Sequence, residues 1–249
     1  MSREPRMLTD AQRAVLRHVG VPDEPVDLRC FPDFFVIGPQ RTGSTWLHRN
    51  LRQHPEIFIS EPKELYYFSS IEFPERHPPH LPPIETDLRW YLRFFETDEE
   101  PRVRGEATAS YAVNVSDSVL DDILTLQPNL KAIALIRHPS ERAWSHVRKF
   151  LSLDRDKPVQ EITLDDCKRF MAQLYPVHCG FYTTFLEKWH RRLGDTHLFV
   201  GDFRDIKKSP SDLLRRIFSF LGVDDGSEHL SHLTEKPQAD APSRRMPHD

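Results

Sequence analysis

The stretch at residues 34–46, F-F-V-I-G-P-Q-R-T-G-S-T-W, constrains the fold of this chain more than any other. Its first four residues are apolar and predict a buried strand, and the sequence then changes abruptly to glycines, a basic residue and hydroxyls. Glycine permits backbone angles that a Cβ hinders, and the free N–H groups at the start of a helix carry partial positive charge. The stretch therefore predicts a strand, an anion-binding loop and a helix in succession.

The spacing of this loop approaches that of a Walker A sequence, G-x-x-x-x-G-K-[ST], with Gly38 and Gly43 in the glycine positions and Thr45 in the last. The position of the Walker lysine holds Ser44 instead, and the nearest cation, Arg41, lies inside the loop. Without that lysine, a nucleoside kinase or NTPase is the weaker interpretation. A tight strand-to-helix connection with no ligand is a further alternative, which Arg41 and the run of hydroxyls disfavour.

Composition restricts the class of protein. With 249 residues the chain is long enough for a substantial core, and a formal net charge of -4 argues against general nucleic-acid affinity. The sequence has no apolar signal core at its start and no apolar run as long as a membrane span, so we expect a cytoplasmic protein without a membrane partner. Three cysteines, Cys30, Cys167 and Cys179, fit neither a disulfide scaffold nor a zinc spacing, so reduced thiols are expected.

Apolar runs and helical periodicity alternate along the chain. Strands are predicted at 34–37, 57–59, 102–107, 130–136 and 197–200, and helices at 44–54, 87–96, 116–126, 139–150, 163–174, 181–193 and 210–221. This order predicts an α/β class, a P-loop-like three-layer fold with a central, mainly parallel sheet of about five strands flanked by helices. Ligand loops then lie at the carboxyl ends of the strands.

Three segments are predicted. Residues 1–30 comprise a mobile tail and a short helix, capped by Thr9 or Asp10, with an apolar stripe of Val15, Leu16 and Val19. Residues 31–226 form the main domain. Residues 227–249, rich in proline and charge, are expected to be disordered. The proline-rich stretch at 77–83 is expected to be an exposed loop that contains two histidines, His77 and His80.

A second candidate for anion binding follows the predicted strand at 130–136. Arg137 comes directly after that strand, and Ser145 lies in the next helix. Because both loops follow strands of one parallel sheet, a single ligand with two separated anionic groups would explain both. A nucleotide with a 5′ phosphosulfate and a 3′ phosphate has this pattern.

These residues resemble a known family, the sulfotransferases that depend on 3′-phosphoadenosine 5′-phosphosulfate (PAPS), and especially the heparan sulfate sulfotransferase branch with its bacterial relatives. The resemblance covers roughly residues 34–224 in four ordered blocks. F-V-I-G-P-Q-R-T-G-S-T is similar to the 5′-phosphosulfate loop, and P-K-E-L-Y-Y-F from Pro62 to the segment with the catalytic glutamate. R-H-P-S-E-R-A-W-S from Arg137 is similar to the 3′-phosphate motif, and G-F-Y-T-T-F-L-E-K-W from Gly180 to a later helix start.

The resemblance implies in-line transfer of a sulfonate group from PAPS to a hydroxyl or amine of a small-molecule or saccharide acceptor, with adenosine 3′,5′-bisphosphate as product and no metal. It implies Glu64 as general base and Arg41 as the catalytic cation, in the place where many members have lysine. Such a transfer needs a positioned acceptor, a base and positive charge at the leaving oxygen. The implied nucleotide contacts are Gly38, Gln40, Arg41, Thr42, Gly43, Ser44, Thr45, Trp46, Arg137, Ser145, Gly180 and Tyr182.

The chain departs from the family pattern in several places. Many glycan-sulfating relatives have lysine after glutamate in the block that matches G-E-A-T-A-S-Y, where this chain has Ala107. Before Gly180, where relatives often have a basic nucleotide contact, this chain has V-H-C, and His178 is a weak substitute. Cys167 and Cys179 resemble a cysteine pair that some secretory relatives oxidise, but a disulfide is not expected here.

Other conspicuous residues have structural interpretations. Arg142 and Arg148 are expected on a solvated helix face, and Trp144 and Trp189 in the core. The aromatic run Y-Y-F at 66–68 fits the core and the acceptor pocket equally well. Three function classes stay open, namely a PAPS-dependent sulfotransferase, a P-loop nucleoside kinase or NTPase, and an inactive nucleotide-binding module. The acceptor is not predicted, but the loops at 71–86 and 151–175 are expected to select it.

Overall fold

The computed structural model of this chain describes residues 4–71, 74, 87–153 and 155–226. The expected loop at 77–83 with His77 and His80, nearly all of the acceptor loop at 71–86 and the expected tail at 227–249 lie outside these residues. In the part that is described, five strands form one sheet in which every pairing is parallel. The strands are β1 (Phe34–Gly38), β2 (Ile57–Ile59), β3 (Val103–Ala107), β4 (Lys131–Ile136) and β5 (Leu198–Asp202).

Helices connect and cover these strands. They are α1 (Asp10–Val15), α2 (Ser44–Leu51), α3 (Tyr67–Ser70), α4 (Leu88–Leu92), α5 (Tyr111–Asn114), α6 (Asp117–Leu126), α7 (Pro139–Arg148), α8 (Leu164–Met171), α9 (Leu174–His178), α10 (Tyr182–Leu193), α11 (Phe203–Lys208) and α12 (Pro210–Leu221). A π-helix, Lys149–Leu153, continues α7 without a break. The expected parallel α/β fold is confirmed.

The core divides into two layers because the strand residues alternate between the two faces of the sheet. Phe35 and Ala132 face one large cluster, to which α4, α5, α6 and α10 contribute, and Trp189 of α10 is fully buried there, as expected. Phe34 and Ile133 face a second cluster, formed with α2, α11 and α12. Each strand of the centre is therefore covered on both sides, which explains its almost continuous apolar sequence.

The strand order β2-β3-β1-β4-β5 positions the site. β1 pairs with β3 on one side and with β4 on the other, so Phe34 lies opposite both Gly105 and Lys131. From β1 the chain continues to β2 at one edge of the sheet, and from β3 it continues in the opposite direction along the strand order, to β4. The crevice for a ligand in such a sheet lies at the carboxyl ends of the strands beside this reversal. Those ends are Gly38 of β1 and Ile136 of β4.

Several local expectations need correction. The stretch at 87–96 has only one turn of α-helix and then a 3₁₀ turn. The helix expected at 163–174 is present as α8 but ends at Met171, and a separate helix, α9, begins at Leu174. α1 ends at Val15, whose side chain is exposed, so Val15 does not belong to the expected apolar stripe. Leu16 and Val19, which follow the helix, do pack against the first core cluster. The expected N-terminal tail is fixed at 6–8, because the backbone of Leu8 bonds Val26 and that of Leu28 bonds Arg6.

Candidate active site

The loop after β1 is shaped by its glycines. Gly38 has a φ of +96°, and a Cβ built on it would lie 2.2 Å from the carbonyl oxygen of Ala109. Gly43 has a φ of +104° and precedes α2 without any side-chain cap on that helix. The Thr42 hydroxyl donates to the carbonyl of Pro39 inside the loop, at 2.7 Å. A helix start without a side-chain cap, after a glycine turn, is typical of an anion-binding loop.

Arg41 connects this loop with the second anion loop. It has a φ of +70°, which is a rarely populated region for a residue with a Cβ. Its Nε donates to the Ser145 hydroxyl at 3.0 Å, although 104 residues separate the two in the sequence. The sequence predicted that the two loops meet at one edge of the sheet. The hydrogen bond between Arg41 and Ser145 agrees with this prediction.

The loop after β4 is held by side chains. The Arg137 N–H donates to the Tyr182 hydroxyl at 3.3 Å, and that hydroxyl donates back to the Arg137 carbonyl at 2.5 Å. The guanidinium of Arg137 stacks 4.3 Å from the ring centre of Phe203 and forms an ion pair with Glu141 at 3.2 Å. Tyr182, expected to contact the nucleotide, thus fixes the backbone of Arg137.

The expected position of Arg142 on a solvated face is wrong. Arg142 is only 1% exposed, and its guanidinium donates to the Pro176 carbonyl at 2.5 Å and to Nδ1 of His146 at 3.4 Å. Its Nε is buried, and no described residue forms a hydrogen bond with it. Trp144, expected in the core, is only half-buried, and packs with Val147 in a small cluster beside α8. The face of α7 toward the site is therefore polar.

This polar face could have been recognised from spacing. Arg142, Ser145, His146 and Lys149 recur at i, i+3, i+4 and i+7, which is one stripe of a helix. Burial, together with the positive charges of Arg142, Arg41 and Lys149, lowers the pKa of His146 to about 3. His146 is therefore a neutral side chain within a cluster of cations, which is a suitable environment for an anionic ligand.

The segment before α10 closes the site from a third side. The Gln40 N–H donates to the thiol of Cys179, and a Cβ built on Gly180 would lie 3.8 Å from the Arg142 guanidinium. All three cysteines are free thiols. His178, the weak substitute for a basic contact, is exposed beside Phe181, with 6.0 Å between the ring centres. Cys179 thus contacts the β1 loop in a way that the sequence did not predict.

Glu64 lies in a short segment with an unusual backbone. Glu64 and Tyr66 have φ values of +67° and +58°, and together with Arg41 they make up three of the four non-glycine residues with positive φ in the described chain. Such conformations cost about 1–3 kcal/mol each and are concentrated at functional sites. The Glu64 N–H donates to the carbonyl of Ala107 at 3.1 Å, which attaches this segment to the end of β3.

The Glu64 carboxyl has two neighbours that donate to it. Lys63 Nζ lies 2.6 Å from one oxygen, and the Tyr66 hydroxyl donates to the other. Burial on its own raises the pKa of Glu64, but the charge and hydrogen bond of Lys63, the hydroxyl of Tyr66 and the charge of Lys149 outweigh it and hold the pKa below its usual range. The charge of Lys149, at the start of the π-helix that continues α7, acts on both Glu64 and His146, so these two side chains lie in the same electrostatic environment.

The remaining expected contacts lie on α2. Ser44 is buried in its first turn, Thr45 is exposed, and Trp46 is only 6% exposed because its ring packs in the second core cluster. Tyr67 and Phe68 are fully buried in the first cluster, whereas Tyr66 reaches Glu64. The nucleotide contacts, including that of Trp46, remain predictions.

Within the described residues, no group of three or more His, Cys, Asp or Glu side chains is arranged to hold a metal ion. No helix in the same part of the chain is long and apolar enough to cross a membrane. The expected independence from metals and the expected cytoplasmic location remain predictions.

A three-layer parallel α/β fold, with Arg41 and Ser145 joined at neighbouring strand ends and Glu64 nearby, defines a class of proteins whose ligand crevice lies at the carboxyl ends of the strands. Comparison with known proteins narrows the class. The chain belongs to the sulfotransferase domain family, whose model matches residues 31–245.

Individual relatives agree with this assignment. Over 220 residues the chain is 27% identical to the bifunctional heparan sulfate N-deacetylase/N-sulfotransferase 4 of Mus musculus, a match that covers 83% of this chain and 24% of the relative. It is 30% identical over 139 residues to the membrane-associated sulfotransferase kil1 of Dictyostelium discoideum, covering 53% and 26%. The matches thus span about a quarter of the length of these curated relatives.

A solved structure supports the fold directly. The sulfotransferase from Alicyclobacillus acidocaldarius superposes with a TM-score of 0.65 and 25% sequence identity, over 78% of this chain and 82% of that one. The expected family and its heparan sulfate sulfotransferase-like relatives are therefore confirmed.

Proposed function

We propose that this protein transfers a sulfonate group from PAPS to a hydroxyl or amine of a small-molecule or saccharide acceptor, with Glu64 as general base. The observation that carries this proposal is the hydrogen bond between Arg41 and Ser145, at 3.0 Å. It brings one anion loop against the other, beside the segment of Glu64. This is the arrangement that a ligand with a 5′ and a 3′ anionic group requires.

The residues present fit such a donor. The uncapped start of α2 and the side chain of Arg41 are suited to the 5′ phosphosulfate, and Arg137 and Ser145 to the 3′ phosphate. The buried guanidinium of Arg142, whose Nε has no hydrogen-bond partner among the described residues, adds a further positive charge. The bound donor would supply the sulfonate group.

The chain's own part in the reaction is to hold charge and to accept a proton. Glu64 is ionised at neutral pH because its pKa is lowered, so a carboxylate oxygen can accept the proton of the acceptor. A lowered pKa also makes Glu64 a weaker base, and we therefore assign most of the rate to positioning and to the cations. Arg41 is charged at every relevant pH and cannot act as a proton donor, so its role is electrostatic.

A nucleoside kinase or NTPase is the alternative that the site favours least. The residue at the Walker lysine position is Ser44, and its side chain is buried. No charge can reach the β and γ phosphates from that position. An inactive nucleotide-binding module would need no base, whereas Glu64 is held in a strained and hydrogen-bonded position.

Thermal shift separates these alternatives at the level of binding. We expect adenosine 3′,5′-bisphosphate to raise the melting temperature in the presence of EDTA, because a ligand that binds only the folded state stabilises it. ATP with magnesium should raise it much less. A larger shift with ATP and magnesium, or a shift with the bisphosphate that EDTA abolishes, would contradict the proposal.

Transfer is tested with ³⁵S-labelled PAPS and a panel of saccharides, phenols, aliphatic alcohols and amines, with release of labelled sulfate to water as the background. Glu64→Gln should keep the affinity for adenosine 3′,5′-bisphosphate and lose about a hundred- to ten-thousand-fold in turnover. The matched control is Glu61→Gln, which changes an exposed carboxylate of the same segment. Equal turnover of the two variants would remove Glu64 from the mechanism.

A further inference from the structure

A second carboxyl, Glu106, is buried beside the Glu64 segment and has no role in the reaction described above. It lies on β3, is completely buried, and has no ion pair with any described residue. Three hydroxyls surround it: Tyr91 donates to one oxygen at 2.5 Å, Thr108 donates to the other at 2.5 Å, and Tyr111 is a further hydrogen-bond partner. A buried carboxyl without a cation is unfavourable, and apolar replacements are often more stable.

Two of these hydroxyls also bind the segment that follows Glu64. Thr108 Oγ1 accepts the N–H of Tyr66 at 3.4 Å, and the Tyr111 hydroxyl accepts the N–H of Phe68 at 3.3 Å. A hydroxyl that accepts from a backbone N–H can direct its own proton to a carboxylate. Glu106 therefore orients both hydroxyls toward itself, so that their lone pairs point at the backbone of 66–68.

This network ends at Glu64. Tyr66, whose N–H is held by Thr108, has a φ of +58° and donates its hydroxyl to Glu64. The N–H of Glu64 is bound to Ala107, the neighbour of Glu106 on β3. The backbone of 64–68 is thus held at three points, by Ala107 at the end of β3, by Thr108 directly after it and by Tyr111 on α5, and the Glu106 network arranges the last two.

The two carboxyls have opposite electrostatic environments. Burial raises the pKa of Glu106 to about 7, the hydroxyls of Thr108, Tyr91 and Tyr111 oppose this, and the charge of Glu64 adds to it. Glu64, in contrast, has a lowered pKa. The lowered pKa keeps Glu64 ionised at neutral pH.

We propose that Glu106 is a positioning residue for Glu64, which orients the Thr108 and Tyr111 hydroxyls so that they hold the 64–68 backbone in the conformation that presents the base. This inference rests on the proposed role of Glu64. Glu106 itself touches neither donor nor acceptor, so it acts only through Glu64.

The test uses Glu106→Gln, which keeps the shape but introduces an N–H donor toward hydroxyls that already donate. We expect turnover to fall about ten- to a hundredfold, as for a small misplacement of a catalytic group, with an unchanged KM for PAPS. In the Glu64→Gln background the same substitution should have no further effect, because the two residues act as one unit. Additive losses would overturn the proposal.

A second variant and a matched control distinguish a loss of turnover caused by misplacement of Glu64 from one caused by lower stability of the fold. Thr108→Val removes the contact to the Tyr66 N–H without changing volume, and should lower turnover about three- to tenfold. Asp122→Asn alters another buried carboxyl, which accepts three backbone N–H groups of 17–19 on the far side of α6. It should lower the melting temperature and leave turnover as in the wild type.

Amide hydrogen exchange gives a readout that does not depend on catalysis. The N–H groups of Tyr66 and Phe68 should exchange at least tenfold faster in Glu106→Gln than in the wild type. In Thr108→Val only the N–H of Tyr66 should exchange faster, and in Asp122→Asn both N–H groups should exchange as in the wild type. If the wild type neither transfers label nor releases labelled sulfate, the proposed function fails, and exchange still decides on the positioning role. Unchanged exchange at both N–H groups would overturn it.

Discussion

The two candidate anion loops, which follow β1 and β4 at the centre of the sheet, are shaped in different ways, one by its backbone and the other by its side chains. The loop after β1 is shaped by its backbone, with Gly38 and Gly43 at positive φ and an uncapped helix start. The loop after β4 is shaped by side chains, because Arg137 is held by Tyr182 and Arg142 is buried among carbonyl and imidazole groups. In the proposed function, the first loop would bind the donor through N–H dipoles, and the second would bind it through full charges.

This difference predicts how each loop fails. A backbone loop tolerates no Cβ where its turns are tight, so one methyl group can destroy it. A side-chain loop loses affinity gradually as single charges are removed, and its buried groups respond to pH. The predictions below test this contrast.

Gly38→Ala should have the largest effect. The new Cβ would lie 2.2 Å from the carbonyl oxygen of Ala109, a backbone atom that cannot move aside, and φ is +96°. We expect a loss of more than about 4 kcal/mol in the free energy of unfolding, or no folded protein. The control is Gly222→Ala, where φ is +81° and no heavy atom of the described residues lies within 4 Å of the new Cβ; this substitution should cost about 1–3 kcal/mol. Urea denaturation of both variants measures this, and equal losses would contradict it.

Acid should destabilise the second loop through His146. Its pKa is about 3 in the folded chain, because of burial and the charges of Arg142, Arg41 and Lys149, and 6.5 when unperturbed. Below pH 6.5 the unfolded chain binds a proton that the folded chain does not, so stability is lost as pH falls from 6.5 toward 3. Because one unit of pKa difference corresponds to about 1.36 kcal/mol, the free energy of unfolding should fall by at most about 5 kcal/mol.

His146→Asn should flatten this part of the stability profile measured by urea denaturation from pH 7 to pH 4. A wild-type slope that survives in His146→Asn would assign the acid sensitivity to other groups.

The contrast between the loops also explains what the sequence could and could not predict. Glycines and hydroxyls after an apolar strand are a local pattern, so the β1 loop and the parallel sheet followed from the sequence. The burial of Arg142 did not, because a charged side chain on an amphipathic helix is usually exposed and only the third dimension supplies Pro176 and His146 as partners. The buried position of Glu106 was not predicted for the same reason, because its partners lie on other elements, Tyr91 on α4 and Tyr111 on α5.

Arg137→Ala should weaken adenosine 3′,5′-bisphosphate binding about ten- to a hundredfold, because a charge-assisted contact to the 3′ phosphate is lost. Adenosine 5′-monophosphate, which lacks that phosphate, should bind with nearly unchanged affinity. Isothermal titration of both nucleotides measures the difference, with Arg215→Ala as control, because Arg215 forms an exposed pair with Asp212 on α12. An equal loss for both nucleotides would show that Arg137 does not recognise the 3′ phosphate.

The smallest effect concerns the bond that joins the loops. Ser145→Ala removes the acceptor for Arg41 Nε, so each loop loses part of its orientation, and we expect the affinity for adenosine 3′,5′-bisphosphate to fall about three- to tenfold. If the loops act as one clamp, Arg41→Ala and Ser145→Ala should be coupled by about 0.5–1.5 kcal/mol in a double-mutant cycle. Independent loops would give additive losses in the same titrations. Coupling would mean that the loop after β1 depends on the loop after β4, through Ser145, for the position of the Arg41 guanidinium.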